Sequence, residues 1–292
     1  QDALVPEYAV TPTNFVRQID WLRNNGYHFV SIDDVLAARA GKRRLPENPV
    51  LITFDDGYTS VYTYAFPILK MFRIPAVVAL VGSWLEEKGT VDFDGKSIPR
   101  DKLLAWSQIQ DMTNSGLVEI ASHSYALHQG MTANPQGNKE PAATARLYDA
   151  NDKRYEDEPH YRQRILADLK RNNTLLRQHT GHAPRIMVWP YGRYNKTTRE
   201  LALSQGMAVG LTLDDGANTD DTPLYGLRRV LVESTMSLGE LNKEIFNRNQ
   251  DLSDNDRPAK IMHVDLDNIY DPDPEQQERN LGHLLDRIVA MG

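Results

Sequence analysis

Short apolar runs alternate with amphipathic segments along most of the chain. The runs have the length of buried strands and lie at 50–54, 75–81, 117–122, 185–189 and 208–213. The segments between them show helical spacing of apolar residues and lie at 60–72, 106–114, 160–179 and 197–205. This alternation predicts parallel strands with helical crossovers, and the spacing favours an α/β barrel or a related closed sheet.

The N-terminal part shows the same alternation. A helical pattern over 11–24 stops before Gly26, and a short strand is predicted over 27–32. The adjacent acidic residues Asp33 and Asp34 are placed to cap the helix that comes next.

Two segments interrupt the pattern. The long polar stretch 129–159 lies between a strand and a helix, where so long a loop is more often functional or mobile than structural. Further on, the acidic stretch 247–258 precedes a new strand at 260–264 and a final helix. We therefore predict a first domain over 1–250 and, over 251–292, a linker with the first β-α unit of a truncated second domain.

The composition restricts the possible partners and catalytic groups, but it says little about the fold. The chain has 40 Asp and Glu residues against 33 Lys and Arg, a formal net charge of −7. This balance argues against a nucleic-acid partner, which usually requires a basic surface. Because there is no cysteine, thiol catalysis and thiolate ligands are excluded, and any metal site must use His, Asp or Glu.

Residues with metal-binding or catalytic chemistry follow three of the predicted strands. Asp55 and Asp56 end one strand, His123 with His128 ends a second, and Trp-Pro-Tyr-Gly at 189–192 ends a third. In parallel α/β folds such strand ends collect at one edge of the sheet. One carboxylate and two imidazoles form a known ligand set for a hydrolytic or oxygenase metal. If Asp56 is the ligand, Asp55 is placed to act as general base.

Each of these features also has an ordinary structural explanation. Adjacent aspartates occur four times, and Leu-Thr-Leu-Asp-Asp-Gly at 211–216 imitates Ile-Thr-Phe-Asp-Asp-Gly at 52–57; we interpret the second copy as a turn. Two nearby histidines are more often surface or loop residues than ligands, and Pro-Tyr-Gly is ordinarily a turn. The prediction of a metal site therefore depends on the co-occurrence of the motifs at successive strand ends.

Taken together, these motifs resemble those of the polysaccharide deacetylase family, carbohydrate esterase family four. They are Thr-Phe-Asp-Asp-Gly at 53–57, Ser-His-Ser at 122–124 with His128, and Trp-Pro-Tyr-Gly at 189–192. The His-to-His spacing and the Met-His-Val-Asp-Leu-Asp stretch at 262–267 are more similar to periplasmic members that act on poly-β-1,6-N-acetyl-D-glucosamine. The resemblance covers nearly the whole chain and implies a distorted (β/α) barrel, circularly permuted, followed by a glycoside-hydrolase-like domain.

The resemblance also implies a role for individual residues. The ligands of one divalent metal ion are Asp56, His123 and His128. This ligand set accepts Zn²⁺, Ni²⁺, Co²⁺ or Fe²⁺. Asp55 is the general base, and the backbone N–H of Tyr191 stabilises the oxyanion formed from the N-acetyl carbonyl. The ring of Trp189 is a candidate substrate-binding face, with burial in the core as an equal alternative.

Two features depart from the family pattern. Many members have an arginine two residues before Pro-Tyr that positions the base; Val188 stands there, so Asp55 is expected to lack a basic partner. The family's general acid is usually a histidine in a Leu-x-His-like strand. His263 fits superficially, but in the permuted group this histidine lies upstream of residue 1, and we interpret His263 as a residue of the domain boundary.

The resemblance implies a metal-dependent N-deacetylase that removes some acetyl groups from poly-β-1,6-N-acetyl-D-glucosamine for export and biofilm formation. It further implies a periplasmic monomer, anchored at the outer membrane, with export-apparatus proteins of that membrane as partners. Two alternatives stay open. The first is the same chemistry on peptidoglycan, chitin or xylan, and the second is a catalytically degenerate carbohydrate-binding module.

Overall fold

The computed structural model describes residues 9–249, 264 and 266–290, and in them strands and helices alternate. The strands are β1 (His28–Phe29), β2 (Pro49–Val50), β3 (Ile52–Phe54), β4 (Ala76–Leu80), β5 (Thr90–Phe93), β6 (Lys96–Pro99), β7 (Val118–Ser122), β8 (Gly130–Thr132), β9 (Lys139–Pro141), β10 (Tyr148–Asp149), β11 (Arg154–Tyr155), β12 (Ile186–Val188), β13 (Val209–Thr212) and β14 (Leu227–Arg228). The α-helices are α1 (Pro12–Asn24), α2 (Ile32–Arg39), α3 (Phe66–Phe72), α4 (Gly82–Glu86), α5 (Trp106–Asn114), α6 (Glu158–Thr180), α7 (Lys196–Ser204), α8 (Leu238–Asn249) and α9 (Pro274–Ala290). Within these residues no helix combines the length and the apolar character that crossing a membrane requires.

Six strands form one parallel sheet in the order β14-β13-β12-β7-β4-β3. Neighbours in the sheet also follow one another along the chain, as in a barrel, and β1 pairs in parallel with β2 just before β3. The sheet curls so far that Arg229, after one edge strand, donates a hydrogen bond of 3.0 Å to Thr53 on the other. The predicted α/β fold with a distorted barrel is thus confirmed, while circular permutation stays a prediction.

Both faces of the sheet are buried. In β4, Ala76, Val78 and Leu80 pack in a cluster with the helices, whereas Val77 and Ala79 pack in a second cluster with residues of the neighbouring strands. All five residues are at most 3% exposed. This explains why the strands read as continuous apolar runs rather than as alternating patterns.

Several boundaries differ from the prediction near the N-terminus. The predicted strand over 27–32 is reduced to β1, and α2 already begins at Ile32. Asp33 and Asp34 are not the cap: Ser31 is the N-cap residue, and Asp34 completes a capping box by accepting the Ser31 N–H at 2.8 Å. The predicted helix over 60–72 forms as a π-helical turn followed by α3.

The long polar segment 129–159 is ordered and consists mainly of two small antiparallel hairpins, β8–β9 and β10–β11. Its residues contact the C-terminal part of the chain. Asn134 donates to the Asp267 carbonyl at 2.8 Å, and the Tyr155 hydroxyl lies 3.1 Å from Asp271 Oδ2. The predicted strand at 260–264 lies outside the described residues apart from Val264, and the helix predicted after it is α9.

A side chain of α2 also contacts the segment between β13 and β14. Arg39 at the end of α2 donates to the carbonyl groups of Thr219 and Thr222 at 2.8 and 2.7 Å and also to that of Asp220, all in the segment between β13 and β14. A guanidinium that satisfies three backbone carbonyls fixes this segment against α2. The segment that leads into β14 is thereby tied to α2.

Candidate metal centre and active site

The centre begins where β3 ends. Asp55 and Asp56 follow Phe54 directly, and Asp56 has left-handed backbone geometry with φ of 72°. Gly57 follows with φ of 82°, and a Cβ there would lie 2.7 Å from a methyl group of Leu80. The sharp turn therefore requires glycine after the acidic pair, and it directs the two carboxylates to different partners.

Asp56 meets two histidines from the end of β7. Its Oδ1 atom lies 3.4 Å from Nε2 of His123 and 3.4 Å from Nε2 of His128. All three candidate ligand atoms lie within 4.8 Å of one another. The histidines are 2% and 9% exposed, so the three atoms converge in a site largely closed to solvent.

The two imidazoles are held in place by different contacts. His123 Nδ1 lies 2.7 Å from the Val188 carbonyl, so Nδ1 carries the proton and Nε2 presents its lone pair to the centre. His128 is enclosed by aromatic rings. Its ring centroid lies 5.3 Å from that of Trp84, 4.8 Å from that of Phe93 and 4.6 Å from that of Tyr191.

The electrostatics of the three groups fit a cation. Burial, with a smaller effect of His123, lowers the pKa of His128 to about 3, and burial also lowers the pKa of His123. Both imidazoles are therefore neutral, as ligands must be. Burial and the neighbouring Asp55 raise the pKa of Asp56 to about 8, and its buried Oδ1 has no hydrogen-bond partner within the described chain. A divalent ion would supply the missing positive charge and the missing partner.

Asp55, next to the candidate ligands, pairs with an arginine. Arg229 donates from Nη1 to Oδ1 at 2.7 Å and from Nη2 to Oδ2 at 3.0 Å, and Nη1 also lies 3.0 Å from Thr53 Oγ1. Burial raises the pKa of Asp55, but the charge and hydrogen bonds of Arg229, with smaller effects of His123 and His128, offset this, and the pKa lies below its usual value. The carboxylate next to the ligands is thus ionised and fixed in orientation.

Arg229 corrects one expectation from the sequence. Asp55 was predicted to lack a basic partner because Val188 occupies the position of the family's arginine. In the structure Val188 is buried, and the arginine comes instead from the residue after β14, 174 positions from Asp55. The sequence pattern predicts no strand before Arg229, so it gives no signal that this arginine is the partner of Asp55.

The two aromatic residues of the Trp-Pro-Tyr-Gly stretch have different surroundings. Tyr191 lies next to His128 with left-handed backbone geometry, φ of 57°, and is 40% exposed. Trp189 is 2% exposed and packs in the core with residues of α6 and α7, with its ring 6.0 Å from that of Tyr194. The prediction that Trp189 binds substrate is therefore wrong, because the ring is covered by the protein itself.

Of two further candidates, the acidic pair at 214–215 is not part of the centre, and the other lies outside the described residues. Asp214 and Asp215, in the imitation of the first motif, follow β13, and Asp214 accepts a hydrogen bond from the Tyr194 hydroxyl at 2.7 Å. His263, the weak candidate for a general acid, lies outside the described residues.

The curled sheet, the buried carboxylate with two imidazoles and the ionised aspartate beside them define an α/β protein with a candidate hydrolytic metal centre. The family model described as "Polysaccharide deacetylase" matches residues 42–210. The chain belongs to this family. A second model, described as "Hypothetical glycosyl hydrolase family 13", matches residues 263–292.

Three similar proteins support the assignment. The chain is 37% identical over 276 residues to the poly-β-1,6-N-acetyl-D-glucosamine N-deacetylase of Escherichia coli K12, covering 94% of this chain and 40% of that protein. It thus spans well under half the length of this relative. The solved deacetylase domain of BpsB from Bordetella bronchiseptica is 43% identical, with a TM-score of 0.73 over 80% of this chain and 88% of that one. A de-N-acetylase from Aggregatibacter actinomycetemcomitans is 33% identical, with a TM-score of 0.76 over 83% and 95% of the two chains.

Proposed function

We propose that this chain hydrolyses N-acetyl groups of poly-β-1,6-N-acetyl-D-glucosamine. The observation that carries the proposal is the ionised Asp55, held by Arg229 directly beside Asp56, His123 and His128. The relative from Escherichia coli is named for this substrate and is similar over nearly all of this chain. Hydrolysis of the amide consumes water and gives acetate and a free amine on the sugar.

The residues of the site have two different roles, metal binding and proton transfer. Asp56, His123 and His128 would hold one divalent ion, which would supply Lewis-acid activation of the acetyl carbonyl and of the attacking water. Asp55 accepts the proton from the attacking water at its carboxylate, and Arg229 keeps this carboxylate ionised and aimed.

The oxyanion needs a fixed donor, and we assign this role to the backbone N–H of Tyr191. Tyr191 lies at the end of β12, beside the ligand His128, in a turn where Gly192 also has a positive φ of 65°. Donors that are already oriented stabilise the developing charge without reorganisation.

Acetate release from β-1,6-linked N-acetylglucosamine oligomers by the metal-loaded chain tests the proposal. We expect release that disappears in Asp55→Asn while metal binding persists. Chitin oligomers, peptidoglycan and acetylated xylan serve as the substrate panel, and equal or faster release from one of them would replace the proposed substrate. A degenerate binding module predicts polymer binding that is unaffected by Asp55→Asn, with no acetate released.

Two departures from the family pattern favour a degenerate module: the absence of a basic partner for Asp55 and the absence of a general acid. The first no longer applies, because Arg229 is the basic partner. The metal identity, the periplasmic location, the export-apparatus partners and the monomeric state stay predictions. We also propose that residues 251–292 begin a second domain, which the glycosyl hydrolase match over 263–292 supports.

A further inference from the structure

The loop that carries both histidines has to reverse its direction between them. Four residues separate His123 from His128, yet both Nε2 atoms lie 3.4 Å from the same oxygen of Asp56. The reversal begins at Ser124, which has a positive φ of 69°. Its hydroxyl accepts the Leu127 N–H at 3.1 Å, which closes the turn from within. A non-glycine residue keeps such a backbone only when its surroundings determine it.

Helix α6 supplies these surroundings from outside the loop. Asp168 accepts the N–H of Tyr125 at 2.8 Å and the N–H of Ala126 at 2.7 Å, one on each carboxylate oxygen. One turn further along, Asn172 donates to Ser122 Oγ at 2.8 Å and more weakly to the Leu80 carbonyl at 3.3 Å. Residues four apart on a helix share one face, so a single face of α6 contacts both the strand end and the turn.

Asp168 is the charged member of this face and makes the more constraining contact. Two successive amides bound by one planar carboxylate fix the orientation of the peptide between them, and with it the direction in which the chain returns to His128. Arg171, on the same side of the helix, lies 3.7 Å over the ring of Tyr125 and so reinforces the position of that residue.

We propose that Asp168 is a positioning residue for the metal centre, setting the geometry of His123 and His128 through the backbone of Tyr125 and Ala126. The inference rests on the proposed function, because it assumes that these histidines bind a metal. Asp168 touches neither histidine in the contacts described above, and it acts only through the loop.

The Zn²⁺ affinity of the full chain distinguishes this role from simple stabilisation. Asp168→Asn retains the shape of the side chain but places an NH₂ group against one of the two amides. Loss of a group that orients a ligand typically costs 10- to 100-fold in metal affinity, and we expect a loss of about that size.

The control is Asn173→Ala on the same helix. Asn173 is also largely buried, but it donates to the Gln205 carbonyl at 3.1 Å, away from the loop. The control is expected to lower the melting temperature and to leave the Zn²⁺ affinity unchanged.

Hydrogen exchange in the metal-free chain provides a second measurement. Asp168→Asn is expected to speed exchange of the amides in 122–129, and Asn173→Ala is not. Wild-type Zn²⁺ affinity in Asp168→Asn, or an equal loss in both variants, would overturn the inference. So would unchanged exchange in the loop. A wild-type chain that binds none of Zn²⁺, Ni²⁺, Co²⁺ and Fe²⁺ would instead refute the proposed function, and the exchange experiment would still decide whether Asp168 holds the loop.

Discussion

Arg229 and Asp55 form a bidentate ion pair across the gap between the edge strands of the curled sheet. The pair joins the residue after β14 to the residue after β3. It lies directly beside Asp56, the carboxylate of the candidate metal centre. The arginine that bridges the two edges of the sheet is therefore also the group that orients Asp55, the proposed general base.

The first prediction concerns this pair. In Arg229→Met, acetate release should fall by about 100-fold or more, the lower end of what a general base contributes. Arg229 holds the pKa of Asp55 below its usual value, so its removal raises that pKa and shifts the acid limb of kcat/KM to higher pH. The pH profile of acetate release measures both effects.

Arg228→Met is the matched control for this substitution. Arg228 is the preceding residue, but its Nη1 atom donates to the Ala217 carbonyl at 3.0 Å rather than to Asp55. We expect a rate near that of the wild type and an unmoved acid limb. If Arg229→Met behaves in the same way as this control, Asp55 does not depend on its partner.

The second prediction concerns metal removal. A ligand present at 1,000 times its Kd stabilises a folded protein by about 4 kcal/mol, so a chelator should lower the Tm of the wild type. Asp56→Asn lacks a ligand and should melt at the same temperature with and without chelator, whereas Asp55→Asn should respond as the wild type does. Differential scanning calorimetry checks all three. A chelator-insensitive wild type would argue for a purely structural role of the triad.

The third prediction separates Trp189 from Tyr191. Trp189→Ala empties a core site and should cost about 3–5 kcal/mol in the free energy of unfolding. Tyr191→Ala removes a half-exposed ring but leaves the backbone N–H, and it should change stability by less than about 1 kcal/mol. Urea denaturation measures both values. Comparable losses in the two variants would contradict the assignment of Trp189 to the core.

The fourth prediction concerns pH and Asp168. Burial raises the pKa of Asp168 to about 6, above its ordinary value of 3.8, although two backbone N–H groups oppose the shift. The folded state therefore holds this proton more tightly than the unfolded state, and stability is lost as pH rises from about 4 through 6. Measured against Asp168→Asn, which cannot titrate, the wild type should lose about 2–3 kcal/mol between pH 4 and 7. A constant difference across this range would show that the carboxyl titrates normally.

Much of the fold was predictable because its signals are local. The apolar runs at 50–54 and 75–81 became β2 to β4, and 106–114 became α5 without change. The hairpin β5–β6 and helix α8 were missed. Asp94 and Gly95, both with positive φ, form the turn of this hairpin. Its strands contain no apolar run, so the pattern gave no signal for them.

The site was predictable as far as it depends on strand ends. Asp56, His123 and His128 each follow a strand that the apolar pattern predicts. The C-terminal ends of parallel strands lie at the same edge of the sheet, which brings the three residues together. The partner of Asp55 was not predictable in this way. It depends on how far the sheet curls, which is a property of the packed molecule and not of any segment.

The closure of the sheet through Arg229 also has a consequence for biosynthesis. The ribosome completes Asp56, His123 and His128 more than a hundred residues before it reaches Arg229. A nascent chain up to β12 already contains Asp56, His123 and His128, but it does not yet contain the arginine that pairs with Asp55. The proposed active site is thus completed last, when Arg229 has been translated and reaches Asp55 across the gap between the edge strands.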